Sequence, residues 1–218
     1  ASTAAAPVTT DAPTTTEAAT TTEPATTTTA AASVGSVTID GPITGGAGKV
    51  AIGSGTVDLA ALGYVEEEYF LSGTASAYRS DVPLTADGRW TVEPDATAPF
   101  TTRVIVRRPT DPAKFSGDVA VEWLNVSAGF DSSPDWSMTQ AELTRTGWAW
   151  VGVSAQQTGI EGGPGALVPL APKQADPERY ASLSHPGDSY SYDLFSQAGA
   201  AVRSQTATLL GGLEPTHV

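Results

Sequence analysis

The sequence contains no cysteine in its 218 residues. A disulfide framework, a thiolate metal site and a cysteine nucleophile are therefore excluded. Basic residues are also scarce, with 11 Lys and Arg against 24 Asp and Glu, which gives a formal net charge of −13. Because nucleic acids and anionic membranes attract basic surfaces, we expect neither as a partner. No apolar run approaches the roughly 20 residues of a membrane-spanning helix, so we expect no transmembrane segment.

Residues 1–33 differ in composition from the rest of the chain. They are nearly all Thr, Ala, Pro and Glu, and the first basic residue is Lys49. Such a segment buries too little apolar surface to offset its ordering entropy, so we predict a disordered linker or stalk, followed by one domain over 34–218. Because the chain starts at Ala1 and Thr/Pro stalks tether exported domains, we expect a secreted or cell-surface protein whose signal peptide has been removed. A trimmed cytosolic protein with a flexible tail is the alternative.

Strand-like and helix-like segments alternate in the second half of the domain. The predicted order is strand 37–39, strand 65–79, strand 103–107, strand 119–124, helix 131–147, strand 148–156, a Gly- and Pro-rich stretch 157–187, helix 188–212, and the start of a strand at Thr216. This order predicts an α/β fold with a mostly parallel sheet and antiparallel N-terminal strands. The acidic run 66–68 is interpreted as a solvated edge of the second strand.

The same half carries four distinctive blocks, which are VEWLNVSAGFDSSPDW (121–136), GWAWVGVSAQ (147–156), DPERYASLSHPGDSYSYDLFSQAG (176–199) and LGGLEPTHV (210–218). Together they resemble consecutive blocks of a largely bacterial family of α/β-hydrolase domain-containing proteins. The resemblance covers roughly 35–218 and implies an α/β-hydrolase-like fold that is incomplete in this chain. It also implies that the strand starting at Thr216 leads into a nucleophile elbow, with the catalytic serine, acid and histidine beyond Val218.

The loop that follows strand 119–124 is the best functional candidate inside the chain. In α/β-hydrolases this loop supplies a backbone N–H to the oxyanion hole, where it stabilises charge that develops in the transition state. The resemblance assigns that role to backbone groups of a short run of small residues, namely Asn125, Val126, Ser127, Ala128 and Gly129.

A second group of residues is predicted to line the cleft in which the substrate of such a hydrolase would bind. Ser154 follows a strand in GVSAQ, but Gln156 stands where a nucleophile elbow needs glycine, so Ser154 is more consistent with a strand end near the site. His185, Asp188 and Ser189 lie in one loop, whose neighbouring residues are too close in sequence to form a triad. A loop ordered by Ser and Asp hydrogen bonds is the alternative. His217, at the start of the last strand, lies at the wrong end of a parallel sheet for a catalytic base.

These observations favour the N-terminal part of a secreted serine hydrolase, one that acts on a small carboxylic ester by acyl transfer. We expect no cofactor and no metal, and we expect these 218 residues to be inactive alone. One alternative is a non-catalytic secreted binding module on a Thr-rich stalk. Another is a small complete hydrolase that uses Ser154 with His185.

Overall fold

The computed structural model describes residues 35–164 and 168–218. The tract 1–33, for which disorder is expected, lies outside the described residues. Within them the elements are β1 (Thr38–Asp40), β2 (Tyr64–Arg79), β3 (Glu93–Pro109), β4 (Val119–Trp123), α1 (Pro134–Thr146), β5 (Ala149–Val153), α2 (Gln157–Glu161), α3 (Pro172–Ala175), α4 (Ser191–Ser204) and α5 (Thr206–Leu209). None of the helices in these two ranges is long and apolar enough to cross a membrane.

The strands form one mixed sheet in the order β1-β2-β3-β5-β4. β1, β2, β3 and β5 pair antiparallel in succession, whereas β4 and β5 are parallel. A parallel bridge from His217 to Asp118 begins a further pairing on the free edge of β4. The predicted α/β fold with antiparallel N-terminal strands is therefore confirmed. In the described residues its parallel part consists of β4, β5 and this last bridge.

Helices and connecting segments cover both faces of the sheet. Val104, Val151 and Val153 pack with α4 and α5 on one face, in a cluster that includes Leu194 and Val202. On the other face a separate cluster consists of one buried residue each from β3, α1 and β5 and the residue that follows β4, namely Ile105, Trp136, Trp150 and Leu124. Because both faces of β5 are buried, its sequence is a continuous apolar run rather than an alternating one.

Helix α1 begins and ends close to where the sequence predicts. Pro134 opens the helix, and Gly147 closes it with a left-handed φ of 79°, a conformation that glycine adopts without steric cost. Ser133 occupies the N-cap position but makes no side-chain capping bond. Instead the buried Glu122 carboxylate on β4 accepts hydrogen bonds from the backbone N–H groups of Asp135 (3.0 Å) and Trp136 (2.9 Å). A full negative charge at a helix N-terminus is a stronger partner than a hydroxyl.

The segment after β5 is more regular at its start and less regular at its end than the sequence predicts. The stretch 157–187 contains the short helices α2 and α3, and the helix predicted over 188–212 is divided at Gln205 into α4 and α5. Tyr190 is at the N-cap position of α4, and no side chain caps this helix. The Asp188 carboxylate accepts a hydrogen bond from the backbone N–H of Gln157 at 2.8 Å, so this contact joins the segment before α4 to the start of α2.

The β2–β3 hairpin is much longer than its neighbours. These strands have 16 and 17 residues, whereas β4 and β5 have five each. β5 pairs with only four residues of β3, and its last residue, Val153, lies opposite Val104. The part of β3 before Val104, with its β2 partner, therefore extends beyond the carboxyl ends of β4 and β5. Its connecting loop, 80–92, lies on the side of the sheet where α/β proteins bind ligands.

Candidate functional site

The loop 125–129 forms a tight turn at the carboxyl end of β4. Asn125 and Ser132 exchange two backbone hydrogen bonds of 2.9 and 2.8 Å, which close the base of the loop. Within it, the Gly129 N–H donates to the Val126 carbonyl (2.9 Å) and the Ser127 N–H donates to the Asn125 side-chain oxygen (3.0 Å). Gly129 has a φ of 84°, so a glycine suits this corner.

Two backbone donors of this turn remain free. In the described part of the chain, the N–H groups of Val126 and Ala128 donate to no protein acceptor, while those of Asn125, Ser127 and Gly129 are engaged. Val126 is half-buried and Ala128 is exposed. Of the five residues in the predicted oxyanion loop, these two therefore have the donors that could bind a developing negative charge.

Ser154 lies beneath this edge rather than on it. Its side chain is fully buried. Its hydroxyl donates to the Asp131 carboxylate in a short hydrogen bond and accepts from Arg103 Nε at 2.9 Å. A serine nucleophile needs an adjacent base and access to a substrate. Ser154 has neither an imidazole partner nor an exposed hydroxyl. Its role is structural, since it holds Asp131 and Arg103 by hydrogen bonds.

The partners of Ser154 belong to a buried ionic network centred on Arg103. The Arg103 guanidinium donates to Glu68 (2.8 Å), to Asp131 (2.9 Å) and to the carbonyl of Ala51 (2.6 Å). Arg179 binds the second oxygen of Glu68 at 2.8 Å. Burial alone lowers the pKa of Arg103, but the charges of Asp131 and Glu68 more than offset this, and the net shift of the pKa is upward. Arg103 therefore stays charged inside the protein.

The network corrects the interpretation of the acidic run 66–68 as a solvated edge. Glu68 is 1% exposed and lies between Arg103 and Arg179. Glu66 and Glu67 pair with Arg107 and Arg108. Every carboxylate of the run therefore has an arginine partner. The signal that could have indicated this was the register of two strands, one carrying three acids and the other carrying arginines at 103, 107 and 108.

Asp131 connects the network to the candidate oxyanion loop. Its carboxylate binds Arg103 and Ser154, and its backbone carbonyl accepts the Gly53 N–H at 2.8 Å. Its other carboxylate oxygen is buried without a hydrogen-bond partner in the described residues and lies against Gly159, where a Cβ atom would come within 2.0 Å of it. Only glycine fits at this position. Asp131, two residues after the loop, is thus fixed by hydrogen bonds to Arg103, Ser154 and Gly53.

Neither histidine of the chain is placed as a catalytic base. His185 is 6% exposed, and its Nε2 lies 2.9 Å from the Ala155 carbonyl while its Nδ1 accepts the Gly187 N–H at 3.1 Å. This arrangement fits a neutral ring with its proton on Nε2, and burial lowers its pKa. His217 is exposed and contacts Asp118 at 3.0 Å, at the amino end of β4. As predicted, His217 lies at the opposite end of β4 from the 125–129 turn.

Asp188 and Ser189 do reach the surface at the carboxyl edge. Both line a cavity of about 670 Å³ between the 80–92 loop and the start of α4. The structure thus brings two of the four predicted cleft residues to a cavity wall and leaves Ser154 and His185 beneath the surface. Sequence reasoning missed the other wall, which the β2–β3 loop supplies, because no motif marks that loop.

The comparison with known families agrees with this arrangement. The sequence model of a family described as "Alpha/beta hydrolase domain" matches residues 39–218. The chain therefore belongs to the α/β-hydrolase family, and the resemblance stated from the four blocks is confirmed. No curated protein and no solved structure matches the chain.

Removing the charge of Arg103 tests how much the fold depends on this network. The variant Arg103→Met keeps a long side chain but leaves Glu68 and Asp131 without their shared cation. We expect the free energy of unfolding to fall by about 3–5 kcal/mol in urea denaturation, because uncompensated buried charges are costly. Arg79→Met is the matched control, since Arg79 forms only exposed ion pairs, and it should cost less than about 1 kcal/mol. Equal losses in the two variants would contradict the prediction.

Proposed function

We propose that this chain forms the N-terminal part of a serine hydrolase that cleaves small carboxylic esters by acyl transfer. The observation that carries the proposal is the 125–129 turn, which presents the free N–H groups of Val126 and Ala128 at the carboxyl edge of β4. In this family the corresponding loop supplies an oxyanion donor. The family match supports the hydrolase class, and the ester substrate is our inference from it.

The nucleophile is proposed to follow the strand that begins at Thr216. The His217 carbonyl accepts the Val119 N–H at 3.0 Å, and the Thr216 and His217 N–H groups donate to Gly117 (2.7 and 3.0 Å), so this strand starts parallel to β4 and beside it. If the parallel register of Asp118 with His217 continues, the strand comes level with Trp123 about four residues past Val218. A serine on a sharp turn there would stand close to the 125–129 loop.

The mechanism follows from that placement. The serine oxygen attacks the ester carbonyl carbon while a histidine beyond Val218 takes the hydroxyl proton. The carbonyl oxygen becomes an oxyanion, which binds the N–H groups of the turn. Collapse of this intermediate breaks the bond to the alkoxy group, which leaves as the alcohol after it receives the proton from the histidine. Water then attacks the acyl-enzyme in the same way and releases the carboxylic acid.

Hydrolysis of p-nitrophenyl butyrate tests where the nucleophile lies. We expect none from the 218-residue chain and measurable turnover from a longer form that continues through the next strand and turn. A fluorophosphonate probe, mapped by mass spectrometry, should label a serine beyond Val218 and leave Ser154 unlabelled. Hydrolysis by the shorter chain, or a label on Ser154, would contradict the proposal. A longer form that neither hydrolyses nor takes the label would favour the non-catalytic binding module.

Removal of one backbone donor tests the oxyanion role. In the active longer form, Val126→Pro deletes the N–H of residue 126, whereas Val126→Ala keeps it. We expect the proline variant to lose about 10²–10³-fold in kcat with little change in KM, because the donor acts on charge present only in the transition state. The alanine variant should stay close to the parent. A proline variant of normal thermal stability and normal kcat would exclude this N–H from the reaction.

We further propose that the protein is exported. The support is compositional, since the Thr-, Ala- and Pro-rich tract 1–33 resembles stalks that hold exported domains away from a surface. An antibody against the folded domain should detect the protein in the medium or on intact source cells. Its recovery from the cytosol alone would contradict export.

A further inference from the structure

The cavity beside Asp188 and Ser189 has an apolar wall that no other part of the described chain covers. Five large side chains form this wall, each between 40% and 60% exposed, and they are Val82, Leu84, Trp90, Val92 and Tyr192. Other exposed large apolar side chains of the described residues, such as Leu62 and Met138, do not line this cavity. Grouped exposure around a cavity of about 670 Å³ is typical of ligand sites, which usually measure about 300–1,000 Å³.

The charged side chains that line the cavity already have partners within the protein. Arg79 binds Asp81 and Glu93. Asp188 accepts from the Gln157 N–H, and Asp193 accepts from the Ser76 N–H at 2.6 Å. Trp90 donates its indole N–H to the Thr85 carbonyl at 2.7 Å. Among the described lining residues, the one cation is therefore neutralised, and two carboxylates would repel an anion. These walls suit an uncharged, apolar ligand.

Aromatic contacts connect the same wall to the last residue of β4, which is close in sequence to the candidate oxyanion loop. Tyr192 packs edge-on against Trp90 on the cavity side (6.3 Å between ring centroids) and against Trp123 on the other side (5.5 Å). Trp123 is the last residue of β4, two positions before Asn125. Its indole N–H donates to the side-chain oxygen of Gln156, the residue before α2 (3.1 Å). One line of aromatic rings thus leads from the cavity to the edge where the ester carbonyl is proposed to bind.

We infer that this cavity binds the uncharged hydrocarbon part of the ester substrate. The identity of the ligand as an ester rests on the proposed function, whereas the preference for an uncharged apolar chain rests on the cavity itself. The 80–92 loop then acts as a specificity element, because its Val82, Leu84 and Trp90 side chains would contact the chain of the substrate. A longer hydrocarbon would bury more of this wall and bind more tightly.

Binding of the uncharged fluorophore N-phenyl-naphthylamine to the 218-residue chain tests the inference without requiring catalysis. We expect saturable binding that methyl octanoate displaces and sodium octanoate displaces at least about tenfold less well, because the carboxylates near the wall oppose an anion. Leu84→Asp should raise the Kd of the fluorophore about tenfold or more, since it places a charge in an apolar contact. Leu62→Asp is the matched control, an exposed leucine in a separate groove, and should leave the Kd unchanged.

Several outcomes would overturn the inference while leaving the proposed hydrolysis intact. Absence of saturable binding, equal displacement by octanoate and its methyl ester, or loss of binding in Leu62→Asp alone would each do so. Displacement of the fluorophore by a synthetic peptide of residues 1–33 would assign the cavity to that segment. A dimer in sedimentation velocity that Leu84→Asp dissociates would assign the apolar wall to contact between two copies of the chain.

Discussion

The buried pairing of Arg103 with Glu68 and Asp131 is the constraint on which the rest of the site depends. Moving a guanidinium and two carboxylates out of water costs several kcal/mol per ion, and the cost is met only if each charge has partners of good geometry. Here Arg103 also binds the Ala51 carbonyl and the Ser154 hydroxyl, and Arg179 supplies the second cation for Glu68. The network joins two strands, the segment before β2 and the loop after β4. These parts therefore keep a fixed mutual arrangement.

In that arrangement the residues that anchor the loop are buried, whereas the turn that could contact a substrate is exposed. Ser154 and Asp131 are in hydrogen-bond contact, as a nucleophile and an acid could be, but they lie beneath the surface and share Arg103. The exposed 125–129 turn lies just before Asp131 in the chain. Its free N–H groups are held near one position because the loop behind them is anchored, and such preorganisation is what oxyanion stabilisation requires.

The long β2–β3 hairpin has a different role. It extends past the short parallel strands and forms a wall beside the carboxyl edge. In a chain with a net charge of −13, an apolar cavity lined by the carboxylates of Asp188 and Asp193 selects against anions, because like charges repel and an anion must also lose its water of hydration. The rings of Trp90, Tyr192 and Trp123 thus link the loop of the hairpin, through α4, to the last residue of β4.

The sequence by itself determined the local elements and the family. Pro134 and Gly147 bound α1, the apolar run of β5 indicated burial on both faces, and the four blocks identified an α/β-hydrolase. Only the tertiary structure decided which polar residues are buried. Glu68 is enclosed by Arg179, which lies 111 residues further along the chain, and the capping of α1 passed from Ser133 to Glu122 on a neighbouring strand. Local patterns report which residues can form a strand or a helix. They carry no information on which distant side chain covers a given face, and that contact sets the environment of each charge.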